Sequence, residues 1–148
     1  MYTLESMRDT DPAFVRDFGD DKVEALIEMM YLAATADGEL GAEERAHFVK
    51  AAEDLTSRLV TGKALEAVLE RAQARLDAEG RDARLAAVKL RLPDDTTRRL
   101  ALSLAIQVTA ADGVIRTSER ELIFDTAKAL DIDGDAAADL VRDLTQPA

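Results

Sequence analysis

Two pairs of acidic residues stand at the same spacing in two places along the chain, where they could bind a cation. Asp37 and Glu44 form the first pair, and Asp112 and Glu119 form the second. Each aspartate is followed by glycine and then, two positions further on, by an apolar residue. This spacing matches the second half of a calcium-binding EF-hand loop, which uses carboxylate oxygens as ligands. The chemistry that it predicts is binding of a divalent cation such as Ca, Mg, Mn or Zn.

The first half of an EF-hand loop is absent from both copies. The positions of its first two acids hold Ala33 and Thr35 in one copy, and Val108 and Ala110 in the other. One loop therefore supplies only two carboxylates, too few for a tight calcium site. If the two loops faced each other, all four acids could share one ion, which would also offset their mutual repulsion. Arg116, beside the second loop, could instead neutralise part of that charge.

A second interpretation of the same residues needs no ligand. Asp37 could accept hydrogen bonds from loop amides or cap the next helix, and Gly38 could supply the positive φ of a sharp reversal. Leu40 could fill the core, while Glu44, in the first turn of the next helix, could reach back to the loop. Both interpretations stay open on the sequence.

The loops belong to a longer internal repeat. Residues 36–55 align without a gap on residues 111–130, and seven of the twenty pairs are identical. In each copy an apolar segment precedes the loop and an amphipathic segment follows it. We therefore expect two equivalent helical hairpins, over residues 23–58 and 98–130.

Apolar residues at helical spacing predict an all-α fold, a single-domain bundle of roughly seven helices over residues 1–148. The segment that begins at Leu100 is apolar on nearly every side and should lie at the centre, and Leu59 should be buried. Ser118 and Glu121 have capping-box spacing. Residues 1–19 form an N-terminal extension or a short helix that holds Phe14, Val15 and Phe18. Four helices are expected over Asp20–Ala36, Ala42–Arg58, Thr61–Glu79 and Ala83–Arg91. A fifth should run from Asp94 or Asp95 to Ala111. Two more should start at Thr117 or Ser118 and at Asp133 or Asp135.

A third acidic group resembles a cation site but has a simpler explanation. Asp131, Asp133 and Asp135 follow the opening pattern of an EF-hand loop. Arg142, however, stands where the closing glutamate of that loop belongs. Capping of the last helix by Asp133 or Asp135 is therefore the favoured role.

The chain has no recognisable catalytic motif. It lacks a Gly-x-Ser-x-Gly elbow, a glycine-rich phosphate loop and a His-Glu-x-x-His sequence. His47 is the only histidine, and it could form the edge of a metal site because it follows Glu43 by four positions. Its counterpart in the second copy is Leu122, which favours a partly buried packing role. We predict no enzyme; only a pocket lined by His47 and several of the repeated acids would favour one.

Composition narrows the class of protein further. A net charge of −11 argues against binding to a nucleic-acid backbone. No cysteine is present, which excludes disulfides and thiolate zinc sites. We expect no transmembrane segment and a cytoplasmic location, since neither an export signal nor a long apolar run is seen. Eleven of the nineteen basic residues lie between positions 61 and 120. This asymmetry indicates one acidic and one basic face, suited to protein partners or an anionic surface; the alternative is a solvated exterior without a partner.

The paired loops resemble those of the TerB-like family, named for tellurite resistance. The resemblance extends from Val23 to Leu144 and depends on the two acids of each loop, with Gly38, Leu40, Gly113 and Ile115. It implies a seven-helix bundle that is not an enzyme and that acts in bacterial stress or tellurite-resistance systems. It also implies membrane-associated protein partners and a metal-binding role for the acidic positions.

Two main hypotheses follow. In the first, the chain is a non-enzymatic binding or scaffold protein of the TerB type, and Asp37, Glu44, Asp112 and Glu119 bind a divalent cation or order the loops. In the second, it is a structural interaction module whose acids only cap helices and whose uneven charge recruits a basic protein.

Overall fold

The computed structural model describes residues 19–36, 38, 40–110 and 113–147, and these residues form a bundle of seven helices. The predicted all-α bundle is thus confirmed, whereas the expected N-terminal helix, with Phe14, Val15 and Phe18, lies outside the described residues. No helix in the described ranges is long and apolar enough to cross a membrane. The helices are α1 Asp20–Ala34, α2 Ala42–Leu55, α3 Gly62–Glu79, α4 Arg81–Arg91, α5 Asp95–Thr109, α6 Thr117–Ala129 and α7 Gly134–Leu144.

Two helices, α1 and α5, form the centre of the bundle and pack along each other. Every residue from Ala25 to Ala33 is buried in α1, and every residue from Leu100 to Ile106 is buried in α5. A helix that is apolar on nearly every side is buried all round, which is why the central position of α5 could be predicted. Each central helix leads into one of the repeated loops, so the loops start from neighbouring helices.

The helix α2 ends three residues earlier than predicted. Ser57 and Arg58 both have left-handed backbone conformations, with φ near +57° and +59°, and they turn the chain away from the helix axis. The Arg58 amide donates to the carbonyl of Glu53 at 2.7 Å, a bond typical of a helix end. Leu59 consequently lies outside α2 and is 44 % exposed, so its predicted burial is wrong. Val60 packs against the core instead.

Some of the predicted helix caps are present in the structure, and others are not. Asp94 caps α5, because its Oδ1 accepts a hydrogen bond from the Thr97 amide at 2.8 Å. Asp133 is the N-cap residue of α7, although its side chain makes no capping hydrogen bond. The predicted pairing of Ser118 with Glu121 is wrong, because Arg116 is the N-cap residue of α6. The helix starts one residue before Ser118, which moves the capping position back.

One short parallel strand pair, which the sequence did not indicate, lies beside the second loop. Strand β1 is Val114–Ile115 and strand β2 is Gln146–Pro147, with Val114 opposite Gln146. The segment after α7 therefore returns to the residues that follow Gly113.

Candidate ligand site between the repeated hairpins

Glu44 and Glu119 occupy equivalent positions and make the same hydrogen bond. Oε1 of Glu44 accepts from the Gly41 amide at 3.0 Å, and Oε1 of Glu119 accepts from the Arg116 amide at 2.9 Å. Each glutamate is the third residue of its helix, where the backbone amides lack intrahelical partners. The capping role predicted for Glu44 is confirmed, and it extends to Glu119.

The glycines of the two loops both have positive φ, near +138° at Gly38 and +81° at Gly113. These values favour glycine, because a Cβ atom is strained in that region, and they confirm the predicted sharp reversal at Gly38. The aspartates before them, Asp37 and Asp112, lie outside the described residues. Their proposed part in cation binding therefore stays a prediction.

A cavity of about 650 Å³ lies between the two hairpins. Equivalent positions of the two hairpins line it, so described residues of both hairpins face a common space. Ala36, the residue before Asp37, also lies on its wall. The equivalent pairs include Ala34 with Thr109, Glu44 with Glu119, and His47 with Leu122.

The cavity is acidic at its edge and apolar on its walls. Glu121 and Asp125 of α6 are exposed and line it together with the capping glutamates. The repeat does not mark these two residues as site candidates, because their counterparts in the first copy are Ala46 and Lys50. Arg116 is close to this group, with its Nη1 atom 3.4 Å from Oε1 of Glu119. Arg116 therefore neutralises part of the negative charge beside the second loop, as expected, through its ion pair with Glu119.

The carboxylates that line the cavity would suit a hard divalent cation by their chemistry. Carboxylate oxygens are the ligands that Mg²⁺, Ca²⁺ and Mn²⁺ prefer. Asp37 and Asp112 are not among the described side chains. Within the described side chains, no group of three histidine or acidic residues is close enough to hold an ion. A cation site here would need ligands from outside the described residues, such as Asp37 and Asp112.

His47 lies on the cavity wall and is exposed. The predicted partly buried packing role is therefore wrong. The neighbouring Phe48 takes the core position instead, with its ring 5.9 Å from that of Tyr31 in an edge-to-face arrangement. One residue along a helix changes the facing direction by about 100°, which separates His47 from Phe48.

A buried ion pair supports the helices that carry the loops. Glu28 is 1 % exposed in the middle of α1, and its carboxylate binds the Arg84 guanidinium at 2.7 and 3.0 Å. Arg91 donates to the same carboxylate at 2.8 Å. Burial alone would raise the pKa of Glu28, but the two arginines lower its pKa below the ordinary value of 4.5. A lone acid within the apolar run 25–34 was a sequence signal for this pairing.

Several basic residues of α3 and α4 form ion pairs within the bundle, and the predicted basic face stays a prediction. Arg71 binds Glu24 at 2.9 Å, and Arg84 and Arg91 bind Glu28. Arg81 is half-buried and donates to the Leu32 carbonyl near the end of α1. Much of the positive charge between positions 61 and 120 thus points toward α1.

Comparison with known protein families gives one match to this chain. The family model described as tellurite resistance protein TerB matches residues 23–142. Searches of curated proteins and of solved structures give no match.

Proposed function

The chain belongs to the family of tellurite resistance protein TerB, and on that premise we propose that it is a non-enzymatic binding protein for a divalent cation. The cation would lie between the two repeated loops, with Asp37, Glu44, Asp112 and Glu119 as its ligands. The family name supports a role in the response to tellurite or metal stress. Protein partners, including membrane-associated ones, would respond to the ion-bound loops.

One observation carries this proposal: equivalent residues of the two repeats line the same cavity. A duplicated pair of acids at a shared space can reach the four carboxylates that one loop lacks. Each capping glutamate uses Oε1 for its backbone hydrogen bond, which leaves Oε2 as a possible ligand atom. The competing structural explanation is that these acids serve only as helix caps.

The test is thermal unfolding after chelator treatment, repeated with Ca²⁺, Mg²⁺, Mn²⁺ and Zn²⁺ at matched ionic strength. Matching is needed because any divalent ion screens a chain of net charge −11. An ion at about 100 times its Kd should add about 2.7 kcal/mol, or roughly 5–11 °C in Tm. Asp37→Asn with Asp112→Asn should remove the response.

A charge-matched control distinguishes a specific cation site from general screening of the negative charge. Glu70→Gln with Asp139→Asn removes two exposed carboxylates that do not line the cavity, and it should keep the parent response. An equal, small change with all four ions in the parent protein would contradict the cation site and favour the capping explanation.

His47 provides a specific observation for a second candidate function, an enzyme. It lines the cavity together with Glu44 and Glu119, and a histidine beside carboxylates can act as a general base. Assays with ester and phosphate substrates would test this. Turnover that is lost in His47→Ala, with folding intact, would favour catalysis over binding.

A further inference from the structure

The cavity between the hairpins is larger and more apolar than a cation requires. Its volume is about 650 Å³, and its walls include Leu40, Phe48, Val108 and Leu122. Pockets of a few hundred Å³ with apolar walls and a few polar groups are typical of sites for organic groups. An ion bound at the loops would make no use of these walls.

We propose that this cavity docks a protein segment that presents a lysine or arginine next to an apolar side chain. The apolar side chain and the aliphatic stem of the basic residue would pack against Leu122 and Val108, while the cationic head would meet the acidic edge. The docking contacts are Val108, Leu122, Glu121 and Asp125. None of them is a proposed cation ligand, so the docking does not depend on the cation.

Charge complementarity selects this partner. Among the described residues, four carboxylates line the cavity, and Arg116 pairs with the one at Glu119. Arg45, also near the first loop, is turned toward Glu66 of α3 at 3.2 Å. A basic segment would therefore reach Glu121 and Asp125 with little competition from these two arginines, and opposite charges also accelerate association.

The experiment is titration of the ¹⁵N-labelled full chain, in chelator, with a short amidated peptide of lysine and leucine, followed by NMR. We expect amide shifts concentrated at the cavity residues of both hairpins. A lysine and serine peptide of equal charge should bind about tenfold more weakly, because it lacks the apolar contact. Because the chelator removes divalent cations, this titration tests peptide docking alone. The cation proposal is tested separately by thermal unfolding.

Two variants with matched controls locate the binding. Leu122→Ser, and separately Glu121→Gln with Asp125→Asn, should each weaken binding of the lysine and leucine peptide about tenfold. Leu90→Ser changes a leucine that is 81 % exposed and does not line the cavity, and Glu70→Gln with Asp139→Asn removes the same charge elsewhere. Both controls should bind as the parent does. Equal losses in the controls, equal binding of the serine peptide, or no binding would each overturn the proposal.

Discussion

Glu28 and Arg84 form a two-point ion pair inside the bundle, with both carboxylate oxygens within 3.0 Å of guanidinium nitrogens. The pair joins α1 to α4, and Arg91 adds a second link between the same helices. Since α1 ends at the first loop, this pair fixes the helix from which that loop departs.

Glu28→Gln should destabilise the fold strongly. Removing one partner of a buried ion pair leaves an uncompensated charge, which typically costs about 3–5 kcal/mol. We expect the lower end of that range, because Arg84 keeps Glu79 at 3.1 Å and Arg91 keeps Asp21 at 3.5 Å. Urea unfolding at neutral pH measures the change.

The matched control for that variant is Glu24→Gln. Glu24 is also in α1 and is also paired with an arginine, Arg71, but its side chain is 25 % exposed and that of Arg71 is 46 % exposed. Exposed pairs contribute about 0–1 kcal/mol, so the loss should be small. Equal losses in the two variants would contradict the importance of burial.

Stability should fall in acid partly through Glu28. Its pKa in the folded protein lies below the ordinary value of 4.5, because the two arginines outweigh the effect of burial. The resulting stabilisation is complete above pH 4.5 and is lost as the pH falls through the lower, folded-state pKa. The free energy of unfolding, measured by urea titration between pH 6 and acid pH, should therefore depend less on pH in Glu28→Gln than in the parent. Glu70→Gln, a change at an exposed acid, should keep the parent slope.

Glutamine and alanine should separate the capping role of Glu44 and Glu119 from a ligand role. Alanine removes the hydrogen bond to the loop amide and should cost about 0.5–1.5 kcal/mol at each position. Glutamine keeps an acceptor oxygen and should leave Tm near that of the parent. If the acids bind a cation, the glutamine double variant should lose the ion response without losing stability; a retained response would exclude these two glutamates as ligands.

Gly113→Ala should destabilise the protein through the backbone alone. The residue has φ near +81°, and no atom lies within 4 Å of the position that a Cβ would take. The free energy of unfolding should fall by more than about 1 kcal/mol, because alanine does not adopt this conformation readily.

Gly134→Ala is a control in which the change should have the opposite sign. This glycine starts α7 without positive φ and in open space, so alanine should stabilise the protein by about 0.4–1 kcal/mol. Thermal unfolding of both variants tests the difference.

The sequence predicted the helices well because their periodicity is local and strong. Leu100 to Ile106 had to be central, since no side of that segment is polar. The end of α2 was harder to predict, because Ser57 and Arg58 adopt left-handed conformations that neither residue type favours. Tertiary contacts, including the bond from the Gly62 amide to Glu53 at 3.0 Å, accompany that turn.

The candidate site was predicted in part. The repeat identified Glu44 and Glu119, because identical residues at equal spacing marked them in both copies. It could not identify Glu121 and Asp125, which have no acidic counterparts and reach the cavity only because the hairpins face each other. Identity between copies also did not predict contacts for the repeated arginines: Arg45 binds Glu66, whereas its counterpart Arg120 lies over the ring of Phe124.

The strand pair that joins Val114 to Gln146 makes the two loops structurally unequal. The residues that follow Gly113 pair with Gln146–Pro147. In the described part of the first loop, Leu40, the counterpart of Ile115, has no strand partner and packs against the core. The internal symmetry that the sequence shows is therefore broken in the backbone as well as in the side chains.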